Sequence, residues 1–81
     1  MEIAYDDDVD VLYVTFEDLR VPCSYVETPT GDILRTEKSS GKIVGVTIPF
    51  FRQRLEEKGE ITLPEIGHVP FNEQTLKLLH A

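Results

Sequence analysis

From Tyr5 to Val14 the chain reads Tyr-Asp-Asp-Asp-Val-Asp-Val-Leu-Tyr-Val, a burst of acid running straight into a β-branched and aromatic segment. Aspartate side chains cap nearby backbone amides and accept turn conformations, so this cluster between two apolar runs predicts a turn over Asp6–Asp10. The alternation that follows predicts a strand from Val11 to Phe16. Leu12, Val14 and Phe16 then lie on one face, and Val11, Tyr13 and Thr15 on the other. Both faces are partly apolar, so the strand is expected at the centre of a sheet or with one face turned to another subunit. The stretch sets a turn and the register of the sheet after it, and it specifies no reaction.

The remaining elements follow from the same pattern rules. Glu2–Tyr5 reads as a short strand before the turn. Pro22 cannot donate to a ladder, so Cys23–Thr28 is expected as a strand at a sheet edge. Pro29–Asp32 is a turn by composition, Ile33–Glu37 a strand, Lys38–Gly41 a second turn and Lys42–Ile48 a strand rich in β-branched residues. The two strands flanking Gly41 should pair as a hairpin. Gly45, inside a strand, marks a bulge or a close approach by another backbone or side chain. Beyond residue 48 the period changes. Pro49 suits a first helical position, Phe51 and Leu55 are spaced i to i+4, and Gly59 suits a C-terminal stop, which predicts a helix over Pro49–Lys58. Glu60–Leu63 is a candidate short strand, and residues 64–70 form a connector held by Pro64 and Pro70. Asn72 is placed to cap a last helix carrying Leu76 and Leu79. The expected architecture is a single α+β domain over residues 1–81. An antiparallel meander of four or five strands fills residues 1–48, and one or two helices in residues 49–81 pack on one face.

At 81 residues the core is small, and with no Trp it must come from aliphatic residues, four Phe and three Tyr. A domain of this size buries only about two-thirds of the surface its unfolded chain exposes, and closed two-fold dimers are a common remedy, so a homodimer or larger assembly is expected. Fifteen acids against eight bases leave a net charge of −7. That field repels phosphate, which argues against direct nucleic-acid binding, and it would draw a basic protein or a cation. Cys23 stands alone and can make no internal disulfide. With no apolar leader-like region and no run long enough to span a bilayer, the expected setting is cytoplasmic, away from membranes.

The acidic turn is the most tempting chemistry. Asp6, Asp8, Asp10 and Glu17 occupy positions one, three, five and twelve of a calcium-binding EF-hand loop. The match fails at position six, where the sharp turn needs Gly and the chain has Val11. A strand from Val11 also carries Glu17 roughly 20 Å from the turn, at ~3.3 Å per residue. What survives is weak cation binding by Asp6, Asp8 and Asp10, set beside plain turn capping. His68 and His80 have no spacing that suits zinc, and Cys23 has no neighbouring base to activate it. No phosphate loop, nucleophile elbow or Ser/His/Asp set is present, so neither an enzymatic activity nor a cofactor is expected. Phe50 and Phe51, with Leu55, read as helix-to-sheet core; should one of the pair face outward, it becomes an association anchor.

Tyr5-Asp6, Asp10, Leu12-Tyr13-Val14 and the later run Gly41-Lys42-Ile43-Val44-Gly45-Val46-Thr47-Ile48 carry a resemblance. Over residues 1–48 the chain resembles the domain-of-unknown-function 2283 family, small and mostly bacterial domains. These open on Tyr-Asp-x-x-x-Asp-x-Leu-Tyr and later carry a Gly-x-x-x-Gly-Ile-Glu-Ile strand. This chain has Thr47 where the family usually has an acid, and it lacks an aspartate-rich strand end around Arg35–Glu37. The resemblance implies a sheet-based fold with no assigned activity. The expected role is therefore a non-enzymatic, homo-oligomeric protein-interaction module with Val11, Tyr13, Phe50 and Phe51 as interface candidates. By analogy with acidic antitoxins, its hetero-partner would be a small basic protein. The alternative is a divalent-cation or small-ligand-binding domain using Asp6, Asp8 and Asp10.

Overall fold

The fold is that of a computed structural model, which describes residues 2–17, 20–66, 71–72 and 74–75. Five strands form one antiparallel sheet: β1 (Glu2–Asp6), β2 (Val11–Thr15), β3 (Cys23–Glu27), β4 (Ile33–Glu37) and β5 (Ile43–Pro49). An α-helix, α1 (Phe51–Lys58), follows the last strand, and Gln74 and Thr75 are helical as well. The α+β class and the strand set agree with the sequence. The hairpin around Gly41 forms, with Gly41 at φ 74°.

The meander order does not hold. The strands lie in the order β1-β2-β5-β4-β3, so the chain leaves β2, crosses to the far edge for β3, and returns through β4 to place β5 beside β2. Burial explains the choice. In β5, Val44, Gly45, Val46 and Ile48 are all buried, which suits the middle of the sheet, whereas β3 has no buried residue and follows Pro22. The strands without a buried residue, β1 and β3, take the two edges, β5 takes the middle, and β2 lies inside the sheet between β1 and β5, as its two partly apolar faces predict.

Leu12 and Val14 of β2, Leu34 of β4, and Val46 and Ile48 of β5 turn to one face, where Phe51 and Leu55 of α1 cover them. Ile61, Leu63 and Phe71 complete this core, so these residues from the last third of the chain pack on their own sheet. Ile61 and Phe71 exchange backbone hydrogen bonds of 2.8 Å as an isolated bridge, which reduces the strand expected over Glu60–Leu63 to one paired residue. Asn72 Oδ1 accepts from the Gln74 amide at 2.9 Å, as a cap should. Leu76, Leu79, His68 and His80 lie outside the described residues.

The helix starts at Phe51 and not at Pro49, because Pro49 closes β5 opposite Val11. It ends where expected: Gly59 adopts φ 80° and its amide donates to the Leu55 carbonyl at 2.7 Å. Eight residues are too few for a helix stable alone, since isolated helices below ~12–15 residues are marginal in water. Two aspartates from opposite hairpin turns supply what the helix lacks, and one of them lies in the acidic turn.

Candidate functional site

Asp10 does not cap its own turn. Its Oδ1 accepts from the Arg52 amide at 2.7 Å and its Oδ2 from the Gln53 amide at 3.2 Å, across 42 and 43 residues of sequence. The Asp10 backbone carbonyl accepts from the Phe51 amide at 3.0 Å. Phe50, the residue before the helix, supplies no side-chain cap of its own, so the orphan amides of the first turn take a remote carboxylate instead. The Tyr5 hydroxyl donates to Asp10 Oδ1 at 2.6 Å. The Tyr5 ring sits 6.0 Å from that of Phe51 and lies under the Arg52 guanidinium at 5.7 Å.

These contacts set the ionisation of the pair. Burial pushes the Tyr5 hydroxyl up to about 12, helped by its bond to Asp10 and the charge there, so it stays protonated. Burial works to raise Asp10 as well, but the Tyr5 hydroxyl, the two helix amides and the Arg52 charge outweigh it and hold the carboxyl below its ordinary 3.8. Asp10 is therefore an anion with both oxygens engaged. The spacing Tyr5 to Asp10 is here a clasp that docks α1 onto the β1–β2 turn.

The expected set Asp6, Asp8 and Asp10 is accordingly not assembled. Asp6, Asp7 and Asp8 are exposed, and one carboxylate oxygen from each lies within 4.8 Å of the others, while Asp10 turns away to the helix. Asp6 Oδ1 accepts from the Asp8 amide at 3.1 Å, the local capping that the composition predicts. Glu17 pairs with Lys42 on the surface, well apart from the turn.

A second aspartate, Asp32, which composition places in a turn, also reaches the helix. Asp32 is 0% exposed and holds Arg54 of α1 through two bonds, of 2.6 and 3.2 Å. Thr30 Oγ1 donates to its Oδ2 at 2.7 Å, and its amide donates to Thr28 Oγ1 at 3.1 Å. No local pattern in the sequence signals this pair, because Asp32 and Arg54 are 22 residues apart and meet only once α1 lies over the β3–β4 turn.

The interface candidates divide. Phe51 is 0% exposed and belongs to the core, so it is no anchor; it points at the sheet because it opens the helix one step after the chain turns. Phe50 is 59% exposed at φ 53°, a left-handed backbone that bulky side chains rarely adopt. Tyr13 is 40% exposed and Val11 partly so. Both lie on the sheet face opposite α1, with Ala4, Thr47, Ile33 and Tyr25 along neighbouring strands. Arg35 crosses the middle of that face above Gly45, and a hollow beside β1 is lined by Ala4, Tyr13 and Thr15. Val9, also exposed, precedes the Asp10 carbonyl that Phe51 caps, which places Val9 and Phe50 at the same end of the sheet.

Cys23 is partly buried and its thiol donates to the Val21 carbonyl at 3.2 Å. Among the described residues no helix is long and apolar enough to cross a membrane. A scan against protein-family models, a search of curated proteins and a search of solved structures each return no match.

Proposed function

We propose that the chain is a non-enzymatic, homo-oligomeric protein-interaction module whose working surface is the open face of the sheet together with Phe50. The observation that carries this reading is Phe50 itself. A bulky aromatic side chain held in solvent at φ 53° costs about 1–2 kcal/mol in backbone strain and adds nothing to the core. Strain of this kind tends to collect at binding positions, where it holds a side chain in place before its partner arrives. Aromatic residues on an otherwise ordinary surface are the usual anchors of protein interfaces.

The rim around the face is acidic, with Glu2 and Asp6 on β1 and Glu27 on β3. The hetero-partner this suits is a small basic protein with an apolar groove, as an antitoxin would require. Carried to this chain, the family resemblance speaks for the fold, because its Tyr5 and Asp10 serve the helix clasp. Cation binding has weaker support: Asp10 is committed to α1, and exposed acidic clusters such as Asp6–Asp8 are common without an ion.

Solution mass and a native pull-down test the two halves of the reading. Light scattering should return a dimer or larger, and a species monomeric at every concentration would remove the homo-oligomer. A basic protein captured at low salt by the wild type, and lost with both Phe50→Ala and Tyr13→Glu, supports the hetero-partner. Recovery of the bait alone removes it.

A further inference from the structure

Among the described residues β3 pairs only with β4 and lies at the edge opposite β1, and its ladder shows which of its backbone groups point away from the sheet. The Thr28 amide donates to the Asp32 carbonyl at 2.8 Å, and the Lys38 amide donates to the Pro22 carbonyl at 3.0 Å. In an antiparallel ladder hydrogen-bonded pairs alternate, so with the unbroken register between these two the bonded pairs inside β3 are Ser24 with Thr36 and Val26 with Leu34. The N–H and C=O groups of Cys23, Tyr25 and Glu27 therefore point away from the sheet. Natural edges are blunted by charge, proline within the strand or a bulge. None of these interrupts Cys23–Glu27, where Glu27 is the only charged residue and stands at the end. Tyr25 is 70% exposed on the open face and Val26 is exposed on the helix-bearing face, so both sides of the edge are apolar. The other edge is guarded: Glu2 and Asp6 belong to β1, and Asp7 and Asp8 follow it.

We infer that β3 pairs antiparallel with β3 of a second copy about a two-fold axis at Tyr25, joining two five-stranded sheets into one of ten strands. The inference rests on the self-association proposed above and names its surface. In this register Tyr25 faces Tyr25 and Cys23 faces Glu27, so every outward group on both strands finds a partner and no like charges stand opposite. Ser24 meets Val26 on the helix-bearing face. Charge selects a second copy at this edge and not elsewhere. Residues 20–42, which hold β3 and β4, carry four bases (Arg20, Arg35, Lys38, Lys42) and three acids (Glu27, Asp32, Glu37), whereas residues 2–18 carry seven acids and no base. Two strongly acidic chains can approach through the near-neutral end. The pairing also makes the two open faces continuous, with Tyr25, Ile33 and Tyr13 repeated on either side of the axis.

Tyr25→Pro tests the edge without touching the fold, because the amide it removes points away from β4. Light scattering and sedimentation should show a wild-type dimer and a Tyr25→Pro protein with an unchanged circular dichroism spectrum whose dimer dissociates at about 30-fold higher concentration or more, the size of a hot-spot loss. Register is read by oxidative cross-linking. In a Cys23→Ser background, Ser24→Cys with Val26→Cys should give a covalent dimer, since a non-hydrogen-bonded pair sets Cα atoms about 4.5 Å apart; Ser24→Cys alone should not. This second readout stands if Tyr25→Pro fails to fold. A dimer that survives Tyr25→Pro and does not cross-link overturns the edge pairing and leaves self-association standing. A wild type monomeric throughout overturns both. A mass that climbs past the dimer with concentration points to β3 adding to β1 of the next copy, and overturns the closed pair.

Discussion

Tyr5 and Asp10 share one hydrogen bond, and each end of it titrates in a different window. Tyr5 is raised from 10.0 to about 12 in the fold, so its contribution to stability is full below pH 10 and is lost as pH rises towards 12. Asp10 is lowered from 3.8, so its contribution is present above that value and is lost as pH falls through the lower folded value. Denaturant melts of the wild type and Tyr5→Phe should differ by about 1.5–3 kcal/mol at neutral pH, the worth of a bond to a charged group. The gap should close between pH 10 and 12; a gap that stays constant there would mean the hydroxyl does not serve Asp10. Asp32 is fully buried and bonded to Arg54. Asp32→Ala strands Arg54 in a half-buried site and should cost about 3–5 kcal/mol, read as a lowered denaturation midpoint. Phe50 should behave unlike either. Phe50→Gly relieves the left-handed backbone and removes no core contact, so stability should rise by about 1 kcal/mol while partner binding falls. A loss of stability would show that the side chain serves the fold.

At the scale of elements, β-branched and aromatic runs bounded by turn residues located all five strands, and in β2 the alternation also separated a buried face, Leu12 and Val14, from a more open one. Gly59 and the i to i+4 pair Phe51 and Leu55 located the helix for the same local reasons. Strand order was not legible, since it depends on which strand can bear burial on both sides, and β5 outcompetes β2 only when the two are set side by side. The roles of Asp10 and Asp32 were illegible for a related reason. Each looks like turn chemistry in its own segment, and only the arrival of α1 over both hairpins converts them into a helix cap and a buried ion pair. Gly45 was legible as an anomaly, and both readings of it apply: the β4–β5 register shifts beside Arg35, and a Cβ on Gly45 would lie 2.9 Å from the Val14 carbonyl oxygen. Gly45→Ala should therefore force β2 and β5 apart at the centre of the sheet and cost about 1–3 kcal/mol. An unchanged melting temperature would mean that the strands part freely there.

For the whole molecule the deciding quantity is the distribution of charge. A chain of net −7 repels its own copies, and the repulsion reaches across about a Debye length, ~10 Å in 0.1 M salt. Pairing through β3 holds the acidic β1–β2 turns at the two far ends of a ten-stranded sheet, so what remains is long-range and easily screened. Dimerisation should then strengthen as salt rises from about 0.02 M to about 0.3 M, the reverse of what charge-paired interfaces do. Addition of β3 to the acidic β1 edge of a neighbour would draw on the contrast between the two ends and weaken with salt. The sign of the salt dependence, measured by light scattering at fixed protein concentration, thus separates a closed pair held by backbone bonds and Tyr25 from an open chain held by charge. Only the closed pair leaves the acid at both ends exposed to a basic partner while the apolar face between them runs unbroken.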